Sequence, residues 1–265
     1  MTKSQKTIKY LAITFAFCLI ISIFSSFIFG VTQIFNIFDS DKSSNKLEQI
    51  EVSENIKELD INLNITNLEI KSGNTFKIEN DSTDVYYKID GTKLVIKEKN
   101  TLFHNKKINK LIIYIDNRTF NDVDIDLDAG SHLIENLNSN KFSLDLGAGK
   151  VVINNITANN SAEIETGAGK LTINNSSINN LKLELGAGST SINATLTGYN
   201  DIELGAGKLD LNLLNSINDY TIKFEKGIGK ATLNNNQITN NTYGTGSTFI
   251  DIEGGVGSIN ITTNN

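Results

Sequence analysis

The stretch with the most chemical promise is a recurring Gly-Ala-Gly-Lys. It occupies 147–150, 167–170 and 205–208, with a Gly-Ile-Gly-Lys variant at 227–230. A glycine loop ending in lysine invites a phosphate-cradle reading. That cradle needs Gly-x4-Gly-Lys-Ser/Thr between a strand and a helix. Here Lys150, Lys170, Lys208 and Lys230 are followed by Val151, Leu171, Leu209 and Ala231, and no helical period follows. Gly254-Gly255-Val256-Gly257 is close to a glycine-rich calcium repeat, but that repeat has a nine-residue period. It also needs an Asp where Ile259 stands. A second candidate is an acid two residues before each glycine pair: Asp126, Asp145, Glu165, Glu184, Glu203, Glu225 and Glu253. Carboxylates stacked at about 5 Å repel one another. The lysines just past the glycines are placed to offset this across the corner. Such a column reads as a solvated charged face; the sharper alternative is a strip for divalent cations or a cationic polymer. His104 and His132 each lack a neighbouring Cys or second His, so neither reads as a metal ligand or a catalytic base. Arg118 is the sole arginine and Trp is absent, unlike the clustered basic, acidic and aromatic side chains of polysaccharide-cleaving β-helices. No catalytic residue, cofactor or metal ligand is assigned, and the chain reads as a non-enzyme.

These residues are set by a repeat. The glycine pairs are Gly147 with Gly149, Gly167 with Gly169, Gly186 with Gly188, Gly205 with Gly207, Gly227 with Gly229 and Gly255 with Gly257. A decayed copy stands at Asp128. Counted from Asp128, successive copies are 19, 20, 19, 19, 22 and 28 residues apart. A period near twenty residues means a solenoid or a blade array. A propeller blade of four strands needs about 40 residues, so the solenoid is preferred. Three residues before the first glycine stand Ile125, Leu144, Ile164, Leu183, Ile202, Phe224 and Ile252, all apolar. The acidic position follows, then a mostly Leu position, which is the alternation of a half-buried strand. Past the glycines a second apolar pair flanks an outward position. The glycines form a corner where positive φ and close backbone approach are needed. The middle residue, usually Ala, is expected to pack beneath it. Asn154, Asn174, Asn193, Asn212 and Asn234 follow the second strand and are expected to stack as a hydrogen-bonded ladder. The unit is therefore strand, glycine corner, strand, Asn corner and short return. Stacked at about 4.8 Å, seven copies make a rod on the order of 34 Å.

The chain has 265 residues and a net charge of −6, which argues against a nucleic-acid surface. Its one cysteine, Cys18, cannot form an internal disulfide. Residues 1–9 form a basic tail with Lys3, Lys6 and Lys9. Residues 10–38 carry no charge, and their most apolar part, 11–29, is nineteen residues long. At about 1.5 Å per residue this approaches the roughly 30 Å of a hydrocarbon core. The apolar run continues to Phe38, longer than a signal peptide requires, so an uncleaved transmembrane helix is expected. The positive-inside rule leaves the N-terminus in the cytoplasm and the rest extracytoplasmic. Residues 39–57 form a linker whose end reads as a short helix or first strand. Residues 58–125 form irregular β rungs, and 126–265 the regular Gly-x-Gly solenoid. Within the irregular part, 61–70 aligns with 144–153 as a worn first rung. Strands are expected at 85–89, 93–98 and 111–115, with a hairpin turn at Asp90-Gly91 and an exposed loop over 97–110. The fold class is all-β: a single-stranded β-solenoid of 19–20-residue rungs preceded by one membrane helix.

Strand–Gly-Ala-Gly-Lys–strand copies at 144–153, 165–173, 183–192, 203–211 and 225–233, behind a worn rung and an N-terminal anchor, resemble a bacterial family. It is the putative-adhesin family of β-strand-repeat domains of unknown function, which includes LiaG-like envelope proteins. The resemblance covers roughly residues 50–265. It implies a β-solenoid at the cell envelope and brings no catalytic residue. The degenerate copies at Asp128 and Gly255 depart from the pattern and read as rung irregularities or caps. The expected function is non-catalytic binding or adhesion at the envelope, with the membrane and an unknown protein or surface ligand as partners and no nucleic acid. The alternative is an envelope-stress or regulatory accessory protein acting through a membrane partner. An enzyme on envelope polymers is a distant third.

Overall fold

Alternating apolar and polar residues make strands that bury one face, and the described residues form little else. The computed structural model describes residues 48–52, 55–99 and 109–264. The basic tail, the expected anchor, Cys18 and His104 lie outside the described residues. Residues 42–265 form one compact unit. The described chain opens with seven short strands: β1 (Glu48–Glu51), β2 (Glu58–Leu63), β3 (Asn67–Ser72), β4 (Lys77–Asn80), β5 (Val85–Asp90), β6 (Lys93–Glu98) and β7 (Lys110–Ile115). Five long strands follow: β8 (Thr119–Glu135), β9 (Asn138–Asn154), β10 (Thr157–Asn179), β11 (Leu181–Thr197) and β12 (Tyr199–Ser216). The chain then forms β13 (Tyr220–Glu225), β14 (Ile228–Leu233), β15 (Asn236–Gln237), β16 (Asn241–Tyr243) and β17 (Thr248–Asn264). The end of the linker, which the sequence allows as helix or strand, is strand β1. Of the expected loop 97–110, Lys97 and Glu98 end β6 and Lys110 opens β7, and residues 100–108 lie outside the described residues. The Asp90-Gly91 hairpin joins β5 to β6, with Gly91 at φ +61°.

Strands β8 to β12 stack in parallel and in register, each pairing with the next. The division expected at 125/126 falls inside β8. Within a rung the phase of burial changes at the glycine corner. In β9, Phe142, Leu144 and Leu146 are buried before it, and Val151 and Ile153 after it. Both arms therefore turn their apolar residues to one interior. Asn155, at φ +55°, then starts a short return that buries Ile156 and Ala158. One contiguous apolar core runs through the stack. Fully burying each such side chain contributes roughly 1.5–3 kcal/mol, and no rung buries its face without a neighbour.

The order of rungs in space differs from their order in the chain. Strand β17 lies between β12 on one side and β13 and β14 on the other. The Gly255 copy is thus an interior rung rather than a cap, and the Gly227 copy is outermost. The other end repeats the device. Ile61 lies beside Ile125 and Ile70 beside Ile134, as the alignment of 61–70 requires. Yet this worn rung is not the first in space, because β6 and β7 pair with the far sides of β2 and β3. Antiparallel strands close both ends: β5 on β6, β4 on β7 and β1 on β4 at one, β16 on β13 and β15 on β14 at the other. A stack of parallel rungs leaves two open edges that would pair with other chains. Terminal segments that turn back and pair antiparallel lie over them; β15 and β16 fall within the 28-residue spacing, and a 3-10 turn at Ile217–Asp219 falls within the 22-residue one.

Candidate functional site

The glycine corners set the outer surface. A Cβ on Gly169 would lie 2.0 Å from the Gly149 carbonyl oxygen, and one on Gly188 2.0 Å from that of Gly169. The second glycine of each pair also sits at positive φ, from +139° at Gly207 to +151° at Gly169. The first glycine is needed for space alone: a Cβ on Gly167 would lie 2.5 Å from the Gly147 oxygen, and one on Gly186 2.2 Å from the Gly167 oxygen. The same contacts follow the spatial order and not the chain order. Gly207 packs on Gly188, Gly257 packs on Gly207, and Gly229 packs on Gly257 rather than on Gly207. In the first-glycine column Gly255 likewise lies against Gly205, and Gly227 against Gly255. The expectation that each corner packs on the copy before it in sequence therefore fails at Gly229, because β17 is inserted between β12 and β14. Cover does not follow position in the stack: Gly149 is buried, Gly169, Gly207 and Gly257 are half-buried, and Gly188 and Gly229 are exposed. The middle residue does not pack beneath the corner as a rule. Ala168 is buried, but Val256 and Ile228 in the same column are 53% and 75% exposed, so larger side chains there point outward.

Beside the corners the structure brings the acidic residues into one column. Its order is Asp126, Asp145, Glu165, Glu184, Glu203, Glu253 and Glu225. Five of these acids, from Asp145 to Glu253, edge a groove of about 510 Å³ whose floor includes the first glycines of their rungs. The lysines past the corner do not neutralise it: Lys208 pairs with Asp210 at 2.6 Å. The column is instead met by two lysines two residues before it in their own rungs. Lys182 Nζ lies 2.6 Å from Glu163, 2.9 Å from Glu184 and 4.0 Å from Glu165. Lys223 Nζ lies 2.9 Å from Asp251 and 3.0 Å from Glu225. Those carboxylates raise the pKa of both lysines. Among the described residues Asp145, Glu203 and Glu253 have no ion pair within 4 Å. At the N-terminal end Asn62 Nδ2 donates to Asp126 Oδ2 at 2.7 Å. Burial, then repulsion from Asp145, Asp128 and Asp124, raises the Asp126 pKa. Among the described residues no group of three or more His, Cys, Asp and Glu converges on a metal position. The groove is an extended anionic trough suited to a cationic or hydrogen-bonding chain.

The expected Asn ladder is interrupted. Asn174 Nδ2 donates to Asn154 Oδ1 at 2.9 Å, and Asn154 Nδ2 donates to Glu135 at 3.2 Å. The register between β10 and β11 shifts after Ile173, and Asn193 Oδ1 is buried without a partner. Because β17 is inserted, Asn212 accepts from Thr262, and Asn234 bonds Thr263. In three rungs the corner lies one residue later, at Asn136, Asn155 and Asn175, with φ of +53°, +55° and +50°, whereas Asn234 turns where expected, with φ of +48°. Asn tolerates this left-handed conformation better than other non-glycine residues.

Two side chains that spacing alone does not single out hold the glycine-free corner of the worn rung. Glu98 Oε2 accepts from the N–H groups of Asn64, Ile65 and Thr66 at 2.8, 2.9 and 3.1 Å. His132 stands beside Val151 in an inward column and is 2% exposed. Its Nδ1 accepts from the Leu68 N–H at 3.2 Å, while Asn67 Oδ1 accepts from the Ser131 N–H at 2.9 Å. Its Nε2 has no hydrogen-bond partner. Burial pushes the imidazole pKa down to about 4, which the nearby Ala129 carbonyl only partly opposes. At this glycine-free corner the backbones share a hydrogen bond from the Ala129 N–H to the Asn64 carbonyl at 2.9 Å, and the two side chains accept from the amides of Asn64, Ile65, Thr66 and Leu68. Arg118 is likewise structural: its guanidinium grips Asp116 at 2.6 and 2.7 Å, donates to the Ile56 carbonyl at 3.1 Å and covers the Phe76 ring. That contact holds the Asp116 pKa below its ordinary value.

A stack of in-register parallel rungs with glycine corners and antiparallel ends defines a class of β-repeat domain. The Toastrack DUF4097 family matches residues 39–256, and the chain belongs to that family. Among solved structures the chain is similar to a putative cell adhesion protein from Clostridium sporogenes ATCC 15579, with 19% identity and a TM-score of 0.37. The match covers 83% of this chain and 100% of that one. It is also similar to a putative adhesin from Bacteroides fragilis NCTC 9343, with 14% identity, a TM-score of 0.42, and 82% and 98% of the two chains covered. A putative adhesin from Parabacteroides merdae ATCC 43184 gives 13% identity, a TM-score of 0.38, and 84% and 98% coverage. No curated protein matches the chain.

Proposed function

We propose that the chain is a membrane-anchored β-solenoid that binds an extended ligand or a surface outside the cytoplasm and performs no catalysis. The observation that carries this is the trough of about 510 Å³ with five aligned acids along its edge. A repeated surface of this kind matches a partner that is itself extended, because each rung offers the same contact one strand spacing further on. The partner class is a cationic or amide-rich polymer or protein segment. The charge-free run at 10–38 supplies the anchor, and the lysines before it orient the solenoid outward. The test is crosslinking in intact envelopes with the full chain and with a Glu165→Gln, Glu184→Gln, Glu203→Gln variant. The partner captured by the native chain is expected to be lost from the variant. Retention of the same partner at the same yield would remove the trough from the account.

A further inference from the structure

The strand exposed on both faces lies at the end of the stack where the chain enters. Among the described residues strand β5 is paired along one edge only, to β6. All of its residues but Val85 are exposed, and Tyr86, Tyr87 and Ile89 are 47%, 42% and 45% accessible. Exposed apolar edge strands invite pairing and are normally blunted or covered. Strand β1, into which residues 39–47 lead, is outermost at the same end, on the other arm of the rungs. Nine residues span at most about 30 Å. The outermost rung at the opposite end, β13 with β14, lies eight strand spacings beyond β6, or about 38 Å. On the anchor reading of residues 10–38, a tether of that length lets the β5 end, and not the opposite end, reach the surface that holds them.

We propose that β5 docks on the lipid surface. Tyr86, Tyr87 and Ile89 sit at headgroup level and the solenoid stands on this end. Tyrosine suits that place because its ring is apolar and its hydroxyl stays wet. Lys97 lies in register with Tyr86, and Lys88 shares its face, 3.9 Å from Asp90. Two lysines beside the tyrosine favour anionic headgroups. The docking rests on the anchor reading of residues 10–38.

The chain lacks tryptophan, so a single one reports its own surroundings. The full chain carrying Tyr86→Trp, Tyr87→Trp or, as the distant control, Phe249→Trp is reconstituted in phosphatidylcholine–phosphatidylglycerol vesicles, with and without brominated acyl chains. Flotation with the vesicles reads the anchor, and quenching reads the docking. The expected result is flotation of all three, with loss of emission for the variants at 86 and 87 and none for Phe249→Trp. Flotation without quenching at 86 and 87 overturns the docking and leaves the anchor standing. The same holds if β5 is instead found crosslinked to a second copy. A chain that stays out of the vesicle fraction overturns the anchor and the docking together.

Discussion

His132 shows how one residue can make a regular stack depend on pH. Its neighbours in the column include Val151 and Leu171, and only the unprotonated imidazole can accept the Leu68 N–H. The folded chain therefore binds this proton less tightly than the unfolded chain does, with a pKa near 4 against an ordinary 6.5. The stability that depends on the neutral ring is complete above about pH 6.5 and is lost as pH falls toward 4. The shift corresponds to about 3 kcal/mol across that window. Urea denaturation at pH 7 and near pH 4 is expected to show this extra loss in the native chain and not in His132→Val. Equal losses in both would contradict the assignment. The role is not legible in the sequence, because Leu68 is 64 residues away and the histidine has no chemical neighbour in its own segment. Glu98 escapes notice for the same reason: its three amide donors lie more than 30 residues upstream.

At the scale of the element, the glycine corner limits how closely rungs approach. Gly188 and Gly91 separate the two demands on glycine. Both have positive φ, but a Cβ on Gly188 would lie 2.0 Å from the Gly169 oxygen, whereas one on Gly91 meets nothing within 4 Å. Gly91→Ala is expected to cost about 1 kcal/mol, the ordinary penalty for left-handed backbone. Gly188→Ala adds overpacking between two backbones and is expected to cost at least about 3 kcal/mol or to abolish folding. Thermal unfolding followed by circular dichroism checks this, and equal shifts for the two variants would contradict it. Elements are the most legible level. Alternation around Leu144 and Ile153 and the recurring glycines predict the strand arms and corners, because each rung repeats the same local chemistry. Residue type alone puts the Asn corner one residue early, since Asn154 and Asn155 are alike and only φ distinguishes them. It also pairs the lysines past the glycines with the wrong acids, because proximity in a rung depends on which face a residue occupies.

The whole molecule is where sequence order and spatial order part. Equal spacing from Asp128 to Gly205 predicts consecutive stacking, and it occurs. The spacings of 22 and 28 also read as consecutive rungs with longer loops, yet the last copy returns to fill the gap before the previous one, separating Gly229 from Gly207. Nothing periodic marks that return, since the covering strands β15 and β16 carry no repeat of their own. The stack as a whole is one hydrogen-bonded assembly with antiparallel strands at both ends, and its placement of the acidic trough depends on this order, with Glu253 between Glu203 and Glu225. The most direct test uses cysteine pairs in a Cys18→Ser background. Neighbouring rungs hold registered Cα atoms about 4.8 Å apart, within disulfide reach, and next-nearest rungs about twice that. Oxidation of Ala206→Cys with Val256→Cys is expected to form an intramolecular disulfide, and Ala206→Cys with Ile228→Cys is expected to remain reduced. A disulfide in the second pair and none in the first would place the copies in chain order and contradict the inserted rung.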